Sequence, residues 1–251
     1  MIAEEEITRL ARDIMKAKKV IALSGAGMSV ESNIASFRGK GGLWEKYDPE
    51  EYAHISTLRH RPEKAWILLS AMQKEIAKAR PNAGHRALAE LEQMGMLQTI
   101  ITQNVDGLHH LAGNTDIIEF HGNLQTVTCM DCGNHLPNSE ISLDDIPPRC
   151  TKCKGVFKPD CIFFGEAIPV DALTRAHQES RTCDLMLVLG TSAVVYPAAS
   201  MPEIAKSAGA QVVEINPSET PLTRFVSDYI LLGPTGQVLP QVVDKIKQEK
   251  R

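Results

Sequence analysis

Two pairs of cysteines, Cys129-x2-Cys132 and Cys150-x2-Cys153, stand out in a chain that holds only six. Each Cys-x2-Cys turn aims two thiolates at one point, and two such turns complete a tetrahedral Zn²⁺ site with no open coordination position. One structural zinc ion is therefore expected, and the chain from 122 to 160 must fold around it. Gly133, Gly155 and Pro148 supply the tight turns. Six cysteines in 251 residues are too few for a disulfide scaffold and point instead to metal binding in a reducing compartment. Cys161 and Cys183 stand alone and read as small buried apolar residues. Many zinc ribbons bind nucleic acid, but this insert is acidic (Asp131, Glu140, Asp144, Asp145). The formal net charge is −4 with no basic stripe, so strong direct nucleic-acid binding is not expected.

Outside that insert the pattern is of short, continuously apolar strands alternating with helices. Ile7, Leu10, Ala11, Ile14 and Met15 recur at helical spacing, giving an opening helix over about 3–17. Strands are expected at 20–24, 97–102, 117–120, 185–189, 211–215 and 229–232. Helices are expected at 62–79, 82–94 (with Asn82 as cap), 198–207 and 238–247. Strands apolar on both faces imply a parallel sheet covered by helices on each side. The expected fold class is α/β, a Rossmann-like parallel sheet plus a small zinc-binding domain formed by insertions. Residues 1–38, 80–121 and 161–251 would make the large domain, and 39–79 with 122–160 the small one. The acidic, amphipathic N-terminus lacks the layout of a signal peptide and no apolar run approaches membrane length. A cytoplasmic protein with no membrane association is expected. No interface pattern stands out, and the sequence assigns no oligomeric state.

The chemistry gathers where strands end. Gly25-Ala26-Gly27-Met-Ser29 follows the first strand, where glycines let the backbone approach a pyrophosphate. Val30 occupies the third glycine position of the dehydrogenase fingerprint, and no acidic ribose ligand follows about 20 residues on, so hydride transfer is not indicated. Gln103-Asn104-Val105-Asp106 ends the 97–102 strand with groups able to read ribose hydroxyls and an amide, although Asp106 could equally cap a helix. His121, followed by Gly122, ends another strand and is placed for general-base work near neutral pH. Gly190-Thr191-Ser192 and Asn216-Pro217-Ser218 end two later strands. Ends of several strands at one sheet edge make a single cleft.

Together these segments resemble the sirtuin family: Gly-Ala-Gly-x-Ser, Phe37-Arg38-Gly39, Thr-Gln-Asn-x-Asp-Gly-Leu-His, Phe-His-Gly, two Cys-x2-Cys pairs, Phe164-Gly165-Glu166, Gly-Thr-Ser and Ile215-Asn216-Pro217, in the family's order over nearly the whole chain. The resemblance implies an NAD⁺-dependent protein lysine deacylase that releases nicotinamide and O-acyl-ADP-ribose. It places Gly25, Ala26, Gly27 and Ser29 at the pyrophosphate, and Phe37 and Arg38 on a mobile cofactor loop. Gln103 and Asn104 would meet the nicotinamide ribose, Asp106 the carboxamide, and Ser192, Asn216 and Thr235 the adenosine half. His121 would take a proton from a ribose hydroxyl, with Asn104 beside it in catalysis. Phe164-Gly165-Glu166 and Ala193-Val194-Val195-Tyr196 would sandwich the acyl-lysine protein or peptide as an added strand.

The sequence also departs from the family pattern. The cofactor loop usually reads Gly-Ile-Pro-Asp-Phe-Arg, whereas here it reads Asn33-Ile34-Ala35-Ser36-Phe37-Arg38. The branch that removes acidic acyl groups carries a Tyr-x-x-Arg pair whose positions are occupied here by Leu69 and Met72. A dicarboxylate would be buried there without a partner, so acetyl or longer apolar acyl groups are expected. Two other functions share the motifs: an NAD⁺-dependent ADP-ribosyltransferase, and a non-enzymatic NAD⁺ sensor.

Overall fold

The computed structural model describes residues 3–39 and 41–250. Met1, Ile2, Lys40 and Arg251, at the margins of the expected domains, lie outside the described residues. Strands β1 (Val20–Ser24), β2 (Thr99–Thr102), β3 (Ile117–Glu119), β7 (Leu185–Leu189), β8 (Gln211–Asn216) and β9 (Tyr229–Leu232) form one parallel sheet in the order β3-β2-β1-β7-β8-β9. Every residue of β1, β2 and β7 is buried, which is why those segments read as unbroken apolar runs. The strand order reverses between β1 and β7, and in open α/β sheets ligands bind at that switch point, beyond the strands' carboxyl ends. The register makes those ends level, with Ser24 opposite both Thr102 and Leu189, and Leu189 opposite Ile215.

Helices cover both faces. On one side α1 (Glu4–Lys16), α6 (Ala83–Gln93) and α11 (Thr235–Glu249) bury Ile7, Leu10, Leu88, Leu91, Val238 and Val242 against the sheet. The opening helix has the expected boundaries because its apolar stripe faces inward while Glu4, Glu5 and Glu6 sit at the positive end of its dipole. Asn82 caps α6 as expected, its Oδ1 accepting from Gly84 and His85 N–H. Its Nδ2 donates to Met28 O at 2.8 Å, so one side chain both starts the helix and ties it to the glycine turn. On the opposite face α8 (Val170–Thr182) and α9 (Met201–Ser207) pack on Ile21, Met186 and Val212. Sequence periodicity did not suggest α8, for its buried positions are only Ala176 and Ser180.

A second sheet is antiparallel and three-stranded, with β4 (Gly122–Cys129) between β5 (His135–Pro137) and β6 (Phe157–Cys161). It shares a separate core with α4 (Ile55–His60) and α5 (Pro62–Ile76), where Leu58, Trp66 and Leu69 meet Leu124, Val127, Phe157 and Phe163. The Trp66 indole N–H donates to Phe157 O at 2.9 Å, joining helix to sheet. Short helices α2 (Leu43–Lys46) and α3 (Pro49–Tyr52) lead into this unit, while α7 (Leu108–Ala112) and α10 (Pro221–Phe225) follow strand ends of the large sheet. Among the described residues no helix is long and apolar enough to cross a membrane.

Candidate active site

The level strand ends open onto a cavity of about 870 Å³ between the large sheet and the smaller unit, within the range of small-molecule and cofactor sites. Gly25, Ala26 and Gly27 line it where β1 turns into a 3-10 helix over Ala26–Ser32. The chain here passes very close to the end of β7: Gly27 N donates to Gly190 O at 2.8 Å. A Cβ on Gly27 would lie 2.7 Å from that oxygen, and one on Gly190 2.5 Å from Met28 N. These glycines are therefore required by the approach of two backbones, and their lack of side chains leaves room for a ligand beside the turn.

Beneath the turn lies a buried polar chain. Asn104 Nδ2 donates to Gly25 O at 3.1 Å and to Ser29 Oγ at 3.2 Å, and Ser29 Oγ donates to Asp106 Oδ2 at 2.7 Å. The other Asp106 oxygen accepts from Leu108 N at 2.9 Å, the helix-start role that the sequence left open. Burial raises the Asp106 carboxyl above its ordinary pKa, against the pull of those hydrogen bonds. Asn104 faces the cavity, whereas Ser29 and Asp106 sit behind it as support. Gln103 Nε2 donates to Thr191 Oγ1 at 3.1 Å, and Asn216 Nδ2 to Thr191 O at 3.3 Å, so Thr191 stitches three strand ends together.

His121 lines the cavity between the two sheets, and its Nδ1 is 3.1 Å from Gln103 O. A carbonyl can only accept, so that bond assigns the ring proton to Nδ1 and leaves Nε2 as the basic nitrogen. Burial lowers the imidazole pKa below its ordinary value, opposed by the bond to Gln103, and the neutral ring is the form at pH 7. Gly122 is a steric necessity beside it: its φ is +68°, and a Cβ would fall 2.0 Å from Asp160 O.

Phe37, Arg38, Val105, Ser192, Pro217 and Ser218 also line the cavity, as do Leu69 and Met72 from α5 and the two segments Phe164–Glu166 and Val194–Tyr196. Phe164 is bridged to 53–55, with Phe164 N donating to Ala53 O at 3.0 Å and Ile55 N to Phe164 O at 2.9 Å. Glu166 is engaged locally, accepting from Phe163 N at 2.8 Å and pairing with Lys158 at 3.3 Å. Thr235 does not reach the cavity: it opens α11, fully buried, its hydroxyl without a partner. Trp44, Leu68, Ile162, Phe163 and Glu219 line it without having been singled out. Trp44 and Leu68 belong to an insert whose wall-forming face is set by tertiary packing, and Glu219 gave no signal beyond following Asn216-Pro217-Ser218.

Away from the cavity, Cys129, Cys132, Cys150 and Cys153 bring their four sulfurs within 4.8 Å of one another. Two of the edges measure 3.4 and 3.8 Å, against about 3.8 Å for a tetrahedron with Zn–S bonds of about 2.3 Å. The donor set fits one structural zinc ion and leaves no position for substrate. Cys161 and Cys183 are buried as expected, and burial pushes their thiols up to about 12 and about 11.

This geometry has close counterparts. The Sir2 family model matches residues 25–197. An NAD-dependent protein deacylase of Aquifex aeolicus is 44% identical over 94% of this chain and 98% of its own. A solved Sir2 homologue–NAD complex superposes with a TM-score of 0.90 at 43% identity, covering 97% of this chain and 94% of that one. A Sir2–p53 peptide–NAD⁺ complex does so with a TM-score of 0.87 at 31% identity, covering 94% and 97%. With the motifs in order and the fold shared from end to end, the chain belongs to the Sir2 family.

Proposed function

We propose that this protein is an NAD⁺-dependent protein lysine deacylase, transferring the acyl group of a modified lysine to the ADP-ribose part of the dinucleotide. The observation that carries this reading is His121, neutral, with its proton held at Nδ1 and Nε2 free, on the wall of a cavity whose floor is a glycine turn. Bound NAD⁺ would supply an electrophilic ribose carbon, with nicotinamide as leaving group, and the hydroxyls that receive the acyl group. Ala26 would offer its backbone N–H to the pyrophosphate, while Gly25 and Gly27, whose own N–H groups are bonded to Leu189 O and Gly190 O, would leave room for it beside the turn. Asn104, fixed from behind by Ser29 and Asp106, would orient the ribose, while Gln103, Ser192, Asn216 and Ser218 would contact the sugars. Nε2 of His121 would accept the proton of a ribose hydroxyl. The relatives named for NAD and for a p53 peptide support both ligands.

The acyl group would lie against Leu69 and Met72. Leu69 is 3% exposed, and the α5 side of the cavity presents no cation to a dicarboxylate. Acetyl and longer apolar groups fit, and succinyl would bury a charge unpaired. We assign the unit built from 39–79 and 122–160 as a small domain closing on the dinucleotide domain, in keeping with its separate core. A thiolate zinc set needs reduced sulfurs, which supports the cytoplasmic location.

The test is mass detection of O-acetyl-ADP-ribose from an acetyl-lysine peptide with and without NAD⁺, beside myristoyl and succinyl peptides. His121→Ala should lower kcat by two or more orders of magnitude, in line with the about 10²–10⁴-fold worth of a general base. Its NAD⁺ affinity should stay within a few-fold. The acid-side fall of wild-type kcat/KM should have its midpoint below the ordinary imidazole value of about 6.5, because burial lowers the pKa of the base. Label from NAD⁺ ending on protein with no deacylated lysine, or a dominant succinyl rate, would refute the corresponding part.

A further inference from the structure

We propose that Trp44 is a positioning residue that couples the two substrates, passing the seating of an acyl-lysine peptide to the loop over the dinucleotide. The inference rests on the deacylase reading and adds a residue that no motif singled out. Trp44 is half-buried on α2, and its ring meets one aromatic side chain from each part of the cavity. Phe37, on the expected cofactor loop, stacks on it with centroids 5.0 Å apart and planes 30° apart. Phe164, in the segment expected to pair with the peptide, meets it at 6.3 Å and 52°. All three rings line the same cavity.

Backbone bonds make the joint between Trp44 and the loop stiff. Trp44 N donates to Phe37 O at 3.0 Å and Leu43 N to Ser36 O at 2.9 Å, so α2 and the loop move together. Phe164 is held by its bonds to Ala53 and Ile55 at the opposite end. The loop carries Ala35-Ser36, with no ring to lock its φ, and Ser36 Oγ satisfies itself on Arg38 O at 2.8 Å. The stacking of Trp44 on Phe37 therefore adds to those backbone bonds in ordering the loop. A strand laid beside Phe164–Glu166 fixes the Phe164 ring, Trp44 seats against it, and Phe37 follows over the dinucleotide. Two ligands that favour the same arrangement of one element tighten each other reciprocally.

The test is calorimetric titration of the full chain with ADP-ribose, which lacks nicotinamide and cannot turn over, with and without saturating acetyl-lysine peptide. In the wild type the peptide should tighten ADP-ribose about fivefold or more, the lower end of ordinary coupling. Trp44→Leu should shrink that ratio to about twofold or less while each ligand alone still binds, and Trp44→Phe should restore most of it, since a ring keeps the stacking contact. Trp66 is fully buried, so the emission change on adding peptide should come from Trp44 and vanish in Trp44→Phe. A wild-type ratio near one, an unchanged ratio in Trp44→Leu, or loss of each ligand alone in that variant would overturn the coupling. Failure of the wild type to bind either ligand would instead bring down the deacylase reading as well.

Discussion

At the scale of single residues, the site is built from groups whose neighbours decide their chemistry. Histidine at a strand end is common; burial keeps the His121 ring neutral, and the carbonyl of Gln103 facing Nδ1 leaves Nε2 free. Asp106 looked in sequence like a ligand or a cap, and its two oxygens are spent on Ser29 and the start of α7. Gly122 gives a sharp prediction at this scale. With φ at +68° and Asp160 O where a Cβ would go, Gly122→Ala must shift β4 against β6 beside the base. The expected cost is roughly 1–3 kcal/mol of stability, as for other overpacked or strained backbone positions. Turnover should fall further than peptide affinity, because His121 is the adjoining residue. Thermal melting with a kcat and KM split checks this, and an unchanged midpoint would contradict the clash.

Among the elements, the strands of the large sheet and its helices α1, α6 and α11 were legible because each buries a continuous apolar face, which α8 does not. The run 20–24 is apolar on both sides, and 3–17 keeps one stripe inward, so either pattern names its element. The small sheet was not legible, since a register shift between Gly122 and Val127 breaks the alternation in β4, β6 is only five residues with Pro159 at its centre, and the two pair across the cysteine insert. A zinc ion on the four clustered cysteines would give that pairing its local closure. Removing it with a chelator, or replacing Cys150 by Ser, should loosen β6 from α5, where Trp66 Nε1 bonds Phe157 O. In a Trp44→Phe background the Trp66 emission should shift to the red and peptide turnover should be lost. ADP-ribose binding should largely survive on the parallel sheet. Emission from Trp66 that ignores the metal would show that the knuckle does not hold this core.

Across the whole molecule, two buried histidines set the acid limit. His85 and His109 lie with ring centroids 5.0 Å apart where α6 and α7 meet, and His109 Nε2 is 2.9 Å from Ser24 Oγ at the end of β1. Burial, the largest cause in each, pushes their pKa values down to about 4 and about 3. In the unfolded chain both protonate near about 6.5, so below that pH the unfolded state binds more protons and stability falls. The loss from His85 continues until pH reaches about 4, at about 1.4 kcal/mol per unit, or about 3 kcal/mol in all. Urea midpoints measured from pH 7 to 4 should fall steeply, and His85→Gln should flatten the slope; an identical slope would rule out this source. By itself the sequence determined the four-cysteine cluster, the parallel sheet and the strand-end motifs, because those signals are local: spacing within a turn, a period within an element. Tertiary structure alone decided that Ser29 and Asp106 stand behind the cavity, that Thr235 is walled off from it and that Trp44 joins its two halves. Those facts depend on distances between segments far apart in the chain, which are fixed only when the sheet's strand ends come level and the inserts fold back over them.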